Sequence, residues 1–367
     1  MKSSTNQYWI ALDHVRAFAA LLVFVWHFTH GRDGSPVPFE GAPAIFPLAL
    51  FDEGHVGVAV FMTLSGYLFA KLLDGKDIDY PKFFWNRFIR LAPLLLVVFA
   101  IKGVVVWASG QDLSNYILRL LSGMVFPTWP NGGWSITVEM HFYLALPFLL
   151  LLSRRNPLLL IGILVAAIAF RTGYFLIEGS VQYEAYRTIL GRIDQFVLGM
   201  LFFMSGSWFI KRGAMVAAIT LGFCAFYWAF AAQGGFYLME GGYPTTNPIW
   251  IAMPMIEGFA IAAAITWYDN NFKGWDGPIS RFAAQYGTFS YSIYLLHFFF
   301  VFAVAAAIHE HVIALDNFYM ALVAGFVCFL AMYPIGWLSY RYIELPFLSY
   351  RKRYVFTAEP VLAEQRS

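Results

Sequence analysis

The stretch "LDHVRAFAALLVFVWHFTH" (12–30) sets Asp13, His14, Arg16, His27 and His30 in and around an apolar run. An ionisable side chain inside such a run costs a few kcal/mol or more, which makes it a site hypothesis. Arg16 and His27 are eleven residues apart. On a helix that leaves about 20° after whole turns and about 16 Å of rise, so the two share a face at opposite depths. A guanidinium suits an anionic group, and an imidazole suits proton transfer near neutral pH. His14 and His30 fall off this stripe or beyond the helix and read as interfacial. A second constellation lies in "WPNGGWSITVEMHFYLALPF" (129–148), where Pro130, Asn131, Gly132 and Gly133 form a turn and Ser135, Glu139 and Tyr143 follow at i, i+4 and i+8. Ser135 reads as an N-cap. Glu139 then lies one turn below the surface, at a depth comparable with His27. A carboxylate beside an imidazole fixes its tautomer and stabilises the imidazolium, which would make His27 a general base oriented by Glu139.

Weaker marks follow. Ser65 and Gly66 stand in the middle of "FMTLSGYLFA" (61–70), a pattern of close helix packing. "GRIDQFVLGM" (191–200) aligns Arg192, Gln195 and Gly199 with Asp194 beside them, and "YGTFSYSIYLLHFFF" (286–300) aligns Ser290, Tyr294 and His297. Lys102 and Glu257 are also intramembrane, with pairing left open. Trp129, Trp134, Tyr183 and Tyr243 are interfacial aromatics or platforms for a sugar ring.

Elements that hold these groups must cross a bilayer. The 367 residues are 60% hydrophobic and 13% charged, with mean hydropathy +0.62, against roughly a quarter charged in soluble domains. A ruler of about 20 apolar residues gives ten candidate helices: 8–30, 55–73, 91–109, 135–153, 157–177, 190–210, 214–232, 248–268, 286–308 and 318–341. Ten spans put both termini on one side. Seventeen of the 24 Lys and Arg fall on that side and five on the other, so the positive-inside rule makes it cytoplasmic. The expectation is an all-α polytopic membrane protein with about ten transmembrane helices and both termini cytoplasmic. "YPKFFWNRFIRLAP" (80–93) reads as an interfacial amphipathic helix on the cytoplasmic face, either a topological anchor or a basic collar for an anionic cytosolic ligand. One membrane domain is expected over 1–353, with a short disordered cytoplasmic tail over 354–367. The net charge of +2 gives no sign of nucleic acid, and Cys224 and Cys328, both in apolar runs, support neither a disulfide framework nor a cysteine metal site.

Taken in order, these stretches resemble the membrane acyltransferase family 3. The resemblance rests on an arginine, ten residues and a histidine in the first helix (Arg16, His27), then "GVAVFMTLSGYLFA", "RFIRLAPLLLV", "WSITVEMHFYL", "RIDQFVLGM", "YSIYLLHFF" and "IELPFLSYRKR". It covers nearly the whole chain, from Leu12 to about Arg353. Met140 and His141 stand where the family often has a second glutamate and a glutamine, so no second carboxylate is assigned. The soluble esterase-like domain of some members is not expected here.

The resemblance implies an O-acyltransferase of a bacterial inner membrane. It would move an acyl group, most often acetyl, from acyl-CoA to a hydroxyl of an extracytoplasmic or lipid-linked carbohydrate. Arg16, Arg87 and Arg90 would hold the coenzyme A phosphates; His27, oriented by Glu139, would deprotonate the acceptor. Ser65, Tyr294 and His297 would act on the donor's acyl carbonyl and Arg192 at the acceptor, with Trp134 and Asn131 as further acceptor contacts. No metal is implied. Direct transfer and an acyl-enzyme are both compatible, as are a homo-oligomer and glycan-assembly partners. The competing readings are a secondary transporter or flippase with a proton or substrate pathway through Arg16, His27, Glu139 and Glu257, and a non-catalytic glycan-binding scaffold.

Overall fold

The computed structural model describes residues 9–31, 37, 41–272 and 277–357. Lys2, Arg32, Lys273, Arg366 and the tail from 358 onward lie outside them. The chain is a multi-pass membrane protein built almost wholly of helices. Among the described residues, eight helices are long and apolar enough to span a bilayer: α1 (Ile10–Thr29), α2 (Val56–Leu73), α3 (Tyr80–Ala108), α5 (Trp134–Arg155), α6 (Leu159–Glu178), α8 (Gly213–Ala232), α9 (Ile249–Asn271) and α12 (Phe318–Leu348). Between them stand α4 (Leu113–Ser122), the 16-residue α7 (Ile189–Met204), α10 (Pro278–Leu296) and α11 (Val301–His311). The candidate at 286–308 is bent by 60° where α10, with the 3-10 turn His297–Phe299, meets α11.

Two expectations change. The basic segment 80–93 is the first half of the 29-residue α3, continuous through Pro93 with the apolar half and capped by Asp79, which accepts from Lys82 N at 3.1 Å. The tail expected to be disordered from 354 is structured through Thr357. Tyr354 is buried, and β2 (Val355–Thr357) pairs antiparallel with β1 (Lys76–Ile78).

Small residues let the central helices close up. A Cβ on Gly66 of α2 would lie 1.9 Å from Phe196 O of α7, and one on Gly199 of α7 would lie 2.1 Å from Thr63 O of α2. Gly287 brings α10 equally close to the backbone of Asp13 on α1. With lipid as solvent, such backbone approach supplies the packing energy that water would otherwise drive. It fixes α1 between α2 and α10, which sets the depths of Arg16 and His27.

Candidate active site

Two cavities lie along α1. One of about 1560 Å³ surrounds its His27 end; one of about 200 Å³ follows its Arg16 end. In the larger cavity His27 Nδ1 is 2.8 Å from Val23 O. A carbonyl only accepts, so Nδ1 carries the proton and Nε2 keeps the lone pair a general base needs. His297 repeats the arrangement: its Nδ1 is 3.0 Å from Ile293 O, and its lone-pair Nε2 stands 3.3 Å from His27 Nδ1. A proton taken at His27 Nε2 would therefore leave a cation whose Nδ1–H already faces two acceptors.

The orienting partner expected of Glu139 is thus supplied by Val23 and His297. Glu139 lines the smaller cavity, where it accepts from Tyr143 Oη beside Arg87. The i, i+4 spacing that aligned Ser135, Glu139 and Tyr143 is correct, and all three line the smaller cavity, whereas His27 lines the larger. Ser135 is no N-cap: α5 starts at Trp134 after Gly133, and Ser135 Oγ donates to Tyr294 Oη at 2.8 Å. His297, expected at the donor, lines neither cavity and is buried against His27.

Asn131, Trp134, His30 and Lys102 line the larger cavity. Aromatic pairs surround it: Trp26 stacks on Tyr237 at 5.6 Å, and Trp134 packs on Tyr186 at 4.9 Å. Arg187 lies over Trp134 at 5.6 Å. His30, read as interfacial, stands with its Nε2 3.4 Å from Asp52 Oδ1 in the wall. Burial, and the adjacent Glu53, push the Asp52 carboxyl up to about 8; burial pushes Glu53 up to about 8 as well. His14 instead bridges Tyr268 Oη and Ser280 O, each at 2.8 Å. Arg192 lines neither cavity. It is buried behind the aromatics, 4.6 Å from the Tyr186 ring, with Nη2 4.0 Å from Glu257. Glu257 accepts from Gln195 at 2.6 Å and Tyr227 at 2.5 Å, far from the cavity wall that holds Lys102.

The smaller cavity gathers Arg16, Arg87 and Arg90 with Ser65 and Tyr294. Arg16 pairs with Asp13, Arg87 spreads over Phe69 at 5.2 Å, and Arg90 donates to Glu344 at 2.8 Å. A fourth guanidinium joins them, Arg351, which burial and repulsion from Arg90 and Arg87 push down to about 10. Four guanidiniums meet three carboxylates, the lining Asp13 and Glu139 and the Glu344 that pairs with Arg90, an excess of positive charge that favours an anion. Sequence reasoning missed Arg351, because "YRKR" read as a topological charge run, and missed Asp52 in "FDEGHVG" (51–57), which precedes a span and carries no helical period. Among the described residues no group of three or more His, Cys, Asp or Glu is arranged to hold a metal ion.

The site is thus a basic cavity and a histidine-bearing aromatic cavity at opposite ends of one helix of a membrane bundle. The chain belongs to the acyltransferase 3 family, whose acyltransferase domain matches residues 9–341. It is similar to acyltransferase MdmB of Streptomyces mycarofaciens, with 30% identity over 40% of each chain. The putative peptidoglycan O-acetyltransferase YrhL of Bacillus subtilis is 28% identical over 41% of this chain and 25% of its own. The exopolysaccharide production protein ExoZ of Rhizobium meliloti is 26% identical over 70% of this chain and 80% of its own. The chain thus spans 40% of MdmB and a quarter of YrhL. No solved structure matches it.

Proposed function

We propose that the chain moves an acyl group, acetyl in the first instance, from acyl-CoA in the smaller cavity to a hydroxyl of an extracytoplasmic or lipid-linked carbohydrate in the larger one. The observation that carries this reading is the His27 tautomer: with Nδ1–H held by Val23 O, the lone pair sits on Nε2 of a residue that lines the larger cavity. The steps follow from that placement. Arg16, Arg87, Arg90 and Arg351 hold the donor phosphates. The acceptor sugar rests on the aromatic wall, and His27 Nε2 takes its hydroxyl proton as oxygen bonds to the acyl carbonyl carbon. The C–S bond then breaks, and the same proton is returned to the thiolate, so coenzyme A leaves as the thiol. The names of YrhL and ExoZ support a glycan acceptor. The lysine and arginine asymmetry supports ten crossings of a bacterial inner membrane, with both termini and the arginine cavity cytoplasmic.

Purified protein with labelled acetyl-CoA and a glycan acceptor should release coenzyme A thiol and form labelled ester. His27→Ala should lower turnover by about 10²–10⁴-fold, the usual contribution of a general base. Wild-type turnover in that variant would overturn the assignment. In sealed vesicles only donor supplied on the Arg351 side should react.

A further inference from the structure

Val58 and Tyr294 line both cavities, whereas His27 lines only the larger and Arg16 only the smaller. Any group that travels from the arginines to the base must therefore pass between these two side chains. Tyr294 is held closed from the other side. Its Oη donates to Gly132 O at 3.1 Å and accepts from Ser135 Oγ at 2.8 Å. Gly132 has φ +73°, and a Cβ there would lie 3.1 Å from Tyr294 Oη and 2.9 Å from Phe298 Cε2. The turn before α5 thus seats directly on the phenol edge, with no side chain between them. Phe61 backs the ring at 6.0 Å, and the whole residue is buried.

We propose that Tyr294 is a removable partition between a donor chamber and an acceptor chamber. The inference rests on the reading that acyl-CoA occupies the smaller cavity. Two hydrogen bonds to one turn are a modest restraint, so an incoming acyl arm can displace the phenol that keeps solvent out in its absence. With the partition shut, water in the larger cavity does not reach a thioester among the arginines. With the ring removed, water takes the acceptor's place. Its oxygen bonds to the carbonyl carbon, one proton passes through His27 Nε2 to the departing sulfur, and the products are acetate, a released proton and coenzyme A thiol.

Two readouts test this. In a cysteine-free background (Cys224→Ala, Cys328→Ala), Met62→Cys places a thiol in the smaller cavity and Leu238→Cys one in the larger. A charged methanethiosulfonate added in sealed vesicles from the side of the larger cavity should modify Leu238→Cys rapidly in every background, which reports folding. Met62→Cys should react slowly, at least tenfold faster with Tyr294→Ala or Gly132→Ala, and within threefold of its parent with Tyr294→Phe, which keeps the ring. Acceptor-free thiol release from acetyl-CoA should rise at least tenfold in Tyr294→Ala. Labelling of Met62→Cys at the parental rate in both Tyr294→Ala and Gly132→Ala overturns the partition. Labelling that rises while no variant consumes acetyl-CoA leaves the partition standing and sinks the donor reading instead.

Discussion

At the scale of single residues, the cost of burying Arg16 and His27 is met in different ways. Arg16 gains a carboxylate three residues away, Asp13, and His27 gains only acceptors for its Nδ1–H. That difference predicts how neighbours behave. His297→Gln should lower kcat while leaving the donor KM within twofold, because it weakens stabilisation of the imidazolium and touches no phosphate group. Glu139→Gln should do the reverse, moving the donor KM and leaving the pH profile of kcat unchanged. An altered pH profile in Glu139→Gln would restore it as the partner of His27. Asp52 and Glu53 give a pH-dependence of stability. Their carboxyls are raised to about 8, so above the ordinary carboxylate range the folded protein holds protons that the unfolded chain releases, and stability falls as pH rises to about 8. His30 and the buried His55 are lowered and act in the opposite sense, but only below their ordinary value of 6.5. Between about 6.5 and 8 the carboxyls therefore dominate, at no more than about 1.4 kcal/mol per pH unit for each. Thermal melts in detergent should drop across that window, and the Asp52→Asn, Glu53→Gln double variant should flatten the slope. The Arg16–His27 stripe was legible in the sequence because helical spacing is local. The His27–His297 contact joins residues 270 apart, and no periodicity encodes it.

At the scale of elements, the long apolar helices were readable because each needs only length and hydropathy. What the sequence hid were short pieces whose role comes from their neighbours. α4 falls in a stretch between spans, yet it turns Asn115, Tyr116 and Arg119 to the larger cavity and leaves Ile117, Leu118 and Leu121 exposed, as an interfacial helix does. Tyr116 ties it to α3 through Phe99 O at 2.7 Å. The segment after α12 is a second case. Its charges suggested a solvated tail, but it crosses beneath the smaller cavity, delivers Arg351, and is stapled by the buried Asn86, which donates to Lys352 O at 2.7 Å and accepts from Lys352 N at 2.9 Å. β2 then anchors its end. Asn86→Ala removes both bonds and should cost about 1–3 kcal/mol. It should also raise the donor KM in common with Arg351→Ala, for which the loss of a charge-assisted contact predicts about 10–100-fold. Calorimetry of coenzyme A binding checks both, and an unchanged affinity in Arg351→Ala removes that residue from the donor site.

At the scale of the whole molecule, one helix carries the two halves of the chemistry. α1 is clamped by α2 and α10 through glycine contacts too tight to slide, so the arginine cavity and the base stay at fixed depths and the substrate must cover the distance between them. On the proposed reading, a pantetheine arm that enters past Tyr294 would deliver its carbonyl into the cavity where the acceptor already rests against His27. Both substrates are then bound when the bond forms. This geometry predicts a ternary complex: initial rates at varied donor and acceptor should give intersecting double-reciprocal lines, and acid-quenched enzyme incubated with labelled acetyl-CoA alone should carry no label. Parallel lines with label retained on the protein would mean that the acyl group pauses on a side chain on its way along α1. In that case His27, whose Nε2 is the lone pair nearest the acceptor, would be the first position at which to look for it.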